Sequence, residues 1–156
     1  VTAFTGLSNL FRLNLGLNEL KQIPIGIFKD LETLNVIQLC DNELISIDTM
    51  IFFGMNQLVS LDLSFNKLLN FTVDGFKESN SLELLILEGN KICDLDFEEL
   101  VNFCPNLKVI NLENNPINCN RTQNVKDLFE KIEIKAGKCL IAETHAKECD
   151  GRLNVV

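Results

Sequence analysis

Residues 61–68 read LDLSFNKL, and Asn66 interrupts a run otherwise built on leucine at even spacing. The same pattern returns as LNLGLNEL from Leu13, IQLCDNEL from Ile37, LILEGNKI from Leu85 and INLENNPI from Ile110. The asparagines stand at Asn18, Asn42, Asn66, Asn90 and Asn115, so one interval recurs unchanged three times and the fourth is longer by a single position. Two further columns keep that register: Leu10, Leu34, Leu58, Leu82 and Leu107, and Phe4, Phe28, Phe52 and Phe76 with Leu100 in fifth place. A fixed period of this size marks a solenoid and takes precedence over any local propensity.

The residues also prescribe the shape of one turn. In LFRLNL, Leu13 and Leu15 alternate with polar neighbours, the period of a strand. Leu20 and Ile23 turn inward on the following loop, and Phe28 and Leu31 close the coil from the far side. A single turn leaves both faces open, so neighbouring turns must stack to bury a common core. The asparagine follows from the same logic. The chain bends sharply after each strand, and the backbone groups at that bend would be buried without partners. A side-chain amide supplies two donors and an acceptor, so a stacked column of asparagines satisfies them.

The stretch LFRLNLGLNELKQIPIGIFKDLETL resembles an extracellular leucine-rich repeat, following LxxLxLxxNxLxxIPxxxFxxL at nearly every apolar position. The resemblance covers residues 1 to about 118 and implies an α/β repeat solenoid, a horseshoe fragment with short parallel strands on its concave face. The expected organisation is a partial first repeat and then about five repeats of the asparagine period over 1–118, with a capping region over 119–156. Phe4 is already in register with Phe28, so the chain opens inside a repeat, as a fragment or an unusually short first repeat would. No run approaches the ~20 apolar residues that span a bilayer.

After NNPINC the period is expected to stop, and TQNVKDLFEKIEI reads as a short amphipathic helix through Val125, Leu128, Phe129 and Ile132. This end resembles the cysteine-bearing C-terminal cap of secreted leucine-rich repeat proteins. It departs from them in carrying a single Cys119 where such caps have Cys-x-Cys, and Ile117 in place of tryptophan.

Six cysteines allow fifteen full pairings, and spacing does not choose among them. Cys119, Cys139 and Cys149 fall in the capping region, and Cys93 lies one turn below Asn118, so these four are the disulfide candidates. Cys104 aligns with the core positions Leu31 and Met55 and reads as a buried thiol. Cys40 falls on the strand surface, where it is either unpaired or a link to a second chain. No Cys-x-x-Cys or His-x-x-x-His spacing accompanies His145, which argues against a zinc site. Two sequons, Asn70-Phe71-Thr72 and Asn120-Arg121-Thr122, lie off the strand face and favour glycosylation at Asn70 and Asn120. Together with the cap they point to a secreted or extracellular chain, free or as the ectodomain of a membrane protein.

The outward positions form columns across the concave face, the surface solenoids use for binding. The expected ligand-contacting residues are Arg12, Val36, Leu84 and Val109 in one column and Asn14, Gln38, Asp62, Ile86 and Asn111 in the next, with Glu88 beyond. Val36, Leu84, Ile86 and Val109 make that face unusually apolar, the mark of a partner surface, although strand propensity alone also favours them. The formal charge of −8, with Asp41, Asp62, Glu83, Glu88 and Glu113 near the same face, attracts a basic protein and repels nucleic acid.

Enzyme chemistry has no foothold: His145 sits in a polar segment, the Glu98–Glu99 carboxylates are merely adjacent, and no phosphate loop or cofactor motif is present. The reading is a non-catalytic recognition module for a protein or microbial ligand. Its resemblance is to Toll-type receptor ectodomains and secreted arthropod immune leucine-rich repeat proteins. Alternatives are a secreted salivary or other effector and a self-assembling matrix-type protein, with a homo- or heterodimer through Cys40.

Overall fold

The computed structural model describes residues 3–77, 80–117 and 132–135. Six three-residue strands run parallel in one sheet in sequence order: β1 (Arg12–Asn14), β2 (Val36–Gln38), β3 (Ser60–Asp62), β4 (Leu84–Ile86), β5 (Val109–Asn111) and β6 (Glu133–Lys135). The register is that of the repeat, with Arg12 opposite Val36, Ser60 opposite Leu84 and Val109 opposite Glu133. In β1 to β5 the middle residue, Leu13, Ile37, Leu61, Leu85 or Ile110, is buried while its neighbours face outward. This is a leucine-rich repeat solenoid, and its sheet is curved and unclosed.

Among the described residues the side opposite the sheet is closed by short helical segments: 3₁₀ turns at Thr49–Phe52 and Asp74–Phe76, and an α-helix, α1 (Phe97–Phe103). The repeat between Asn90 and Asn115 is the one with the extra residue, and its α1 occupies the position held by 3₁₀ turns in the shorter repeats. Asp96 caps α1 by accepting the Glu99 N–H at 2.9 Å. Phe4, Phe28, Phe52 and Phe76 form a continuous ring stack with centroid separations of 6.1, 6.4 and 5.3 Å, and buried Leu100 takes the next place. Two turns approach closely at Gly75, where a Cβ would lie 1.8 Å from the Thr49 carbonyl oxygen.

The bends after β1 to β5 pass through the left-handed region, at Leu17, Asp41, Phe65, Gly89 and Asn114. The next residue is always the asparagine. Asn66 donates from its amide to the carbonyls of Leu63 and Ser64 in its own turn and of Leu39 in the preceding one, at 2.9–3.1 Å. Its Oδ1 accepts the Leu44 N–H at 3.1 Å. Asn42, Asn90 and Asn115 repeat the arrangement, accepting from Leu20, Leu68 and Ile92. Among the described residues the Asn18 side chain, at the first of these bends, makes two intra-turn bonds, to the Leu15 and Gly16 carbonyls.

One expectation is corrected. The strand period does not stop after residue 118, and the 122–134 segment does not end as a helix. Ile132 is buried and Glu133–Lys135 pairs with β5, each residue lying one repeat period after its partner. Backbone bonds from Glu133 N–H to the Lys108 carbonyl and from Leu112 N–H to the Lys135 carbonyl fix it there. Ile132 and Ile134 fit a strand's alternation as well as a helix's stripe, and the open edge of β5 decides between them. Val125, Leu128 and Phe129 lie outside the described residues, as do Cys119, Asn120, Cys139, His145 and Cys149.

The concave face as candidate site

The outward columns assemble as Arg12, Val36, Ser60, Leu84, Val109 and Glu133, and beside them Asn14, Gln38, Asp62, Ile86, Asn111 and Lys135. The apolar residues are not continuous: Ser60 and Asp62 on β3 separate Val36 from the rest. Leu84, Ile86 and Val109 are contiguous on β4 and β5, each partly buried on the outward side of the sheet. Lys135 and Glu133, which sequence reading assigned to the cap, complete the face beyond β5 and lie 3.7 Å apart.

Three of the polar residues expected to meet a ligand also serve the fold. Asn14 Oδ1 accepts the Gly16 N–H at 2.8 Å, Asp62 Oδ1 accepts the Ser64 N–H at 2.9 Å, and Asn111 Oδ1 accepts the Glu113 N–H at 3.0 Å. Each short side chain thereby caps the end of its own strand. Asp62 also takes the Ser64 hydroxyl at 2.6 Å. Their constant offset before the repeat asparagine (Asn14 to Asn18, Asp62 to Asn66, Asn111 to Asn115) is the signal by which sequence could have found them.

Glu88 lies just past the end of β4, where ladder bonding continues through the Phe65 N–H to the Glu88 carbonyl at 2.8 Å. Its carboxylate is oriented by two amides: Asn111 Nδ2 donates to Oε2 at 2.9 Å and Asn114 Nδ2 to Oε1 at 3.3 Å. Glu83, counted with the acidic cluster, is instead paired with Lys108 at 2.8 Å. Phe65 is 49% exposed, and its ring lies over Gly89, where a Cβ would come within 2.5 Å of the ring. Leu17, at the equivalent bend of the first turn, is 82% exposed.

Cys40 is a free thiol set over Gly16; a Cβ at position 16 would lie 2.8 Å from its Sγ. Burial, and then the charges of Asp62 and Asp41, push its pKa up. The thiolate is the form that exchanges disulfides, so this setting works against a bridge through Cys40. Cys104 is free and buried, as its core register required, and desolvation raises it to about 12. Cys93 is disulfide-bonded, and Asn70 is exposed on its loop.

Comparison with known proteins agrees with this geometry. The family model described as leucine rich repeat matches residues 32–92. No curated protein matches the chain. Among solved structures, the leucine-rich repeat domain of APL1B is 25% identical with a TM-score of 0.68, over 74% of this chain and 34% of that one. A chain of the Toll–Spatzle complex, described as a hub of Drosophila development and innate immunity, is 27% identical with a TM-score of 0.64, over 72% and 15%. The Leptospira interrogans protein LIC12759 is 25% identical with a TM-score of 0.64, over 82% and 37%. The chain therefore spans between 15% and 37% of the length of these structures.

Proposed function

We propose that the chain is a non-catalytic extracellular recognition module, serving innate immunity, that binds a protein or microbial ligand through its concave face. The observation that carries this is the contiguous trio Leu84, Ile86 and Val109 on the water-facing side of the sheet. The apolar surface these side chains still leave in water is recovered at about 25 cal/mol per Å² by a partner that covers it. The disulfide at Cys93 and the exposed sequon at Asn70 support an oxidising, secretory setting. The likeness to Toll–Spatzle supports the immune reading and a protein as the ligand class, and the fold supports a scaffold for binding over catalysis.

The test uses chain secreted from insect cells and a panel of extracellular proteins, lipopolysaccharide and peptidoglycan. Ile86→Ser with Val109→Ser should abolish any binding found, while Phe53→Ser on the opposite side should leave it intact. Loss in Phe53→Ser alone moves the site off the concave face.

A further inference from the structure

The concave-face reading, on which this inference rests, leaves the chemistry of the partner open, and the charges on that face narrow it. Asp41, Asp62, Glu88 and Glu113 succeed one another across the middle of the sheet. None of them is paired with a cation among the described residues, whereas Lys67, Lys77, Lys108 and Lys135 are engaged by Glu43, Asp74, Glu83 and Glu133. Of the four, Glu88 is the one prepared for an incoming charge. Two asparagine amides fix its orientation, one on each oxygen, and each oxygen keeps further acceptor capacity. Glu88 also stands between two apolar elements of the same face: Leu84 and Ile86 precede it on β4 with Val109 beside Leu84 on β5, and the next residue, Gly89, carries the Phe65 ring.

The Phe65 backbone adds an independent sign. At φ 52 it occupies the left-handed region, which disfavours a bulky L-residue, and its half-exposed ring stands at the rim. Leu17, Asp41, Gly89 and Asn114 fill the same column, so the aromatic is not what the bend requires.

We propose that the partner is an extended protein segment carrying an arginine flanked by apolar side chains, with its guanidinium on Glu88 and an apolar neighbour on Leu84, Ile86 and Val109. A planar fork matches a carboxylate that offers both oxygens and can also stack on an aromatic face, which an ammonium cannot do as well. A lone divalent cation would leave the trio and the ring uncovered, and a polyanion would meet four unpaired carboxylates.

The experiment measures fluorescence anisotropy of the whole chain with labelled decapeptides of alternating Leu and Ser, identical except for Arg, Lys, Gln or Glu at the centre. The Arg peptide should bind about tenfold tighter than the Gln peptide, with an advantage that shrinks as salt rises. Glu88→Gln should remove that advantage and leave the Gln peptide unchanged, while Ile86→Ser should weaken both. An equal preference for Lys and Arg overturns the choice of arginine. Equal binding of Arg and Gln peptides, still lost in Ile86→Ser, overturns the inference and leaves the concave site standing. An Arg advantage that survives Glu88→Gln also overturns it. Binding by no peptide, or binding untouched by either substitution, overturns both. Matching unfolding midpoints for the variants confirm that each comparison is made on folded protein.

Discussion

The Oδ1 of Asn66 accepts the backbone N–H of Leu44 at 3.1 Å, while its amide reaches the Leu39 carbonyl in the same preceding turn at 2.9 Å. One side chain thus joins two turns at a site only 6% exposed. Asn66→Ala orphans the buried Leu44 N–H and removes one donor from each of the Leu39, Leu63 and Ser64 carbonyls, which keep the Asn42 amide, the Asn90 amide and the Asp41 N–H, and should cost about 1–3 kcal/mol. Asn18→Ala, at an exposed site with two intra-turn bonds, should cost less than about 1 kcal/mol. Urea midpoints of the two variants check the contrast.

Gly75 is demanded by contact and Gly54 by conformation. A Cβ at 75 meets the Thr49 carbonyl oxygen at 1.8 Å, and backbone on both sides cannot yield without prying two turns apart. Gly54 has a φ of +79 but open space around it. Gly75→Ala should destabilise by about 3 kcal/mol or more, beyond the usual cost of overpacking, and Gly54→Ala by about 1 kcal/mol. Thermal unfolding of both distinguishes the two causes.

Burial raises the Cys104 thiol from 9.0 to about 12. The folded chain therefore keeps this proton at pH values where the unfolded chain releases it. The stabilisation is complete below pH 9 and is lost as pH climbs from about 9 toward 12, at no more than about 1.4 kcal/mol per unit. Cys104→Ala should lower stability at pH 7 and flatten the decline between pH 9 and 10.5 relative to the parent. Iodoacetamide at pH 8 should label Cys40 slowly and Cys104 only after unfolding.

Non-reducing intact mass and peptide mapping of chain secreted from insect cells should find Cys93 bridged, Cys40 and Cys104 free, and a glycan on Asn70 removable by peptide N-glycosidase. Cys93→Ser should cost about 2–5 kcal/mol. An unmodified Asn70 together with a free Cys93 would sink the extracellular reading.

The sheet was legible because Asn18 to Asn115 and Phe4 to Phe76 report the same register from chemically unrelated columns, one polar and one aromatic. β6 was not, because its turn has no asparagine in register: one period beyond Asn115 the chain carries Cys139. Only pairing with β5 selects strand there, and pairing is not a local property. On the candidate face, sequence identifies which side chains point outward but not which are already engaged. Asn14, Asp62 and Asn111 are placed on the face by their spacing, but that each also holds a backbone N–H two residues on appears only when the bend is formed. The seating of Cys40 over Gly16, and of the Phe65 ring over Gly89, likewise depends on the stacking distance between turns.

The asparagine ladder has no rung longer than one turn. Every bond it makes across the stack joins a turn to its immediate neighbour, and the Phe4–Phe28–Phe52–Phe76 rings do the same. Neither column ties the first turn to the third. Such a stack frays from its ends, and its amide protons should exchange with deuterium in a gradient, fastest in β1 and slowest around β3 and β4. The proposed binding trio sits beside that slow centre, so a partner would grip the part of the molecule that opens least.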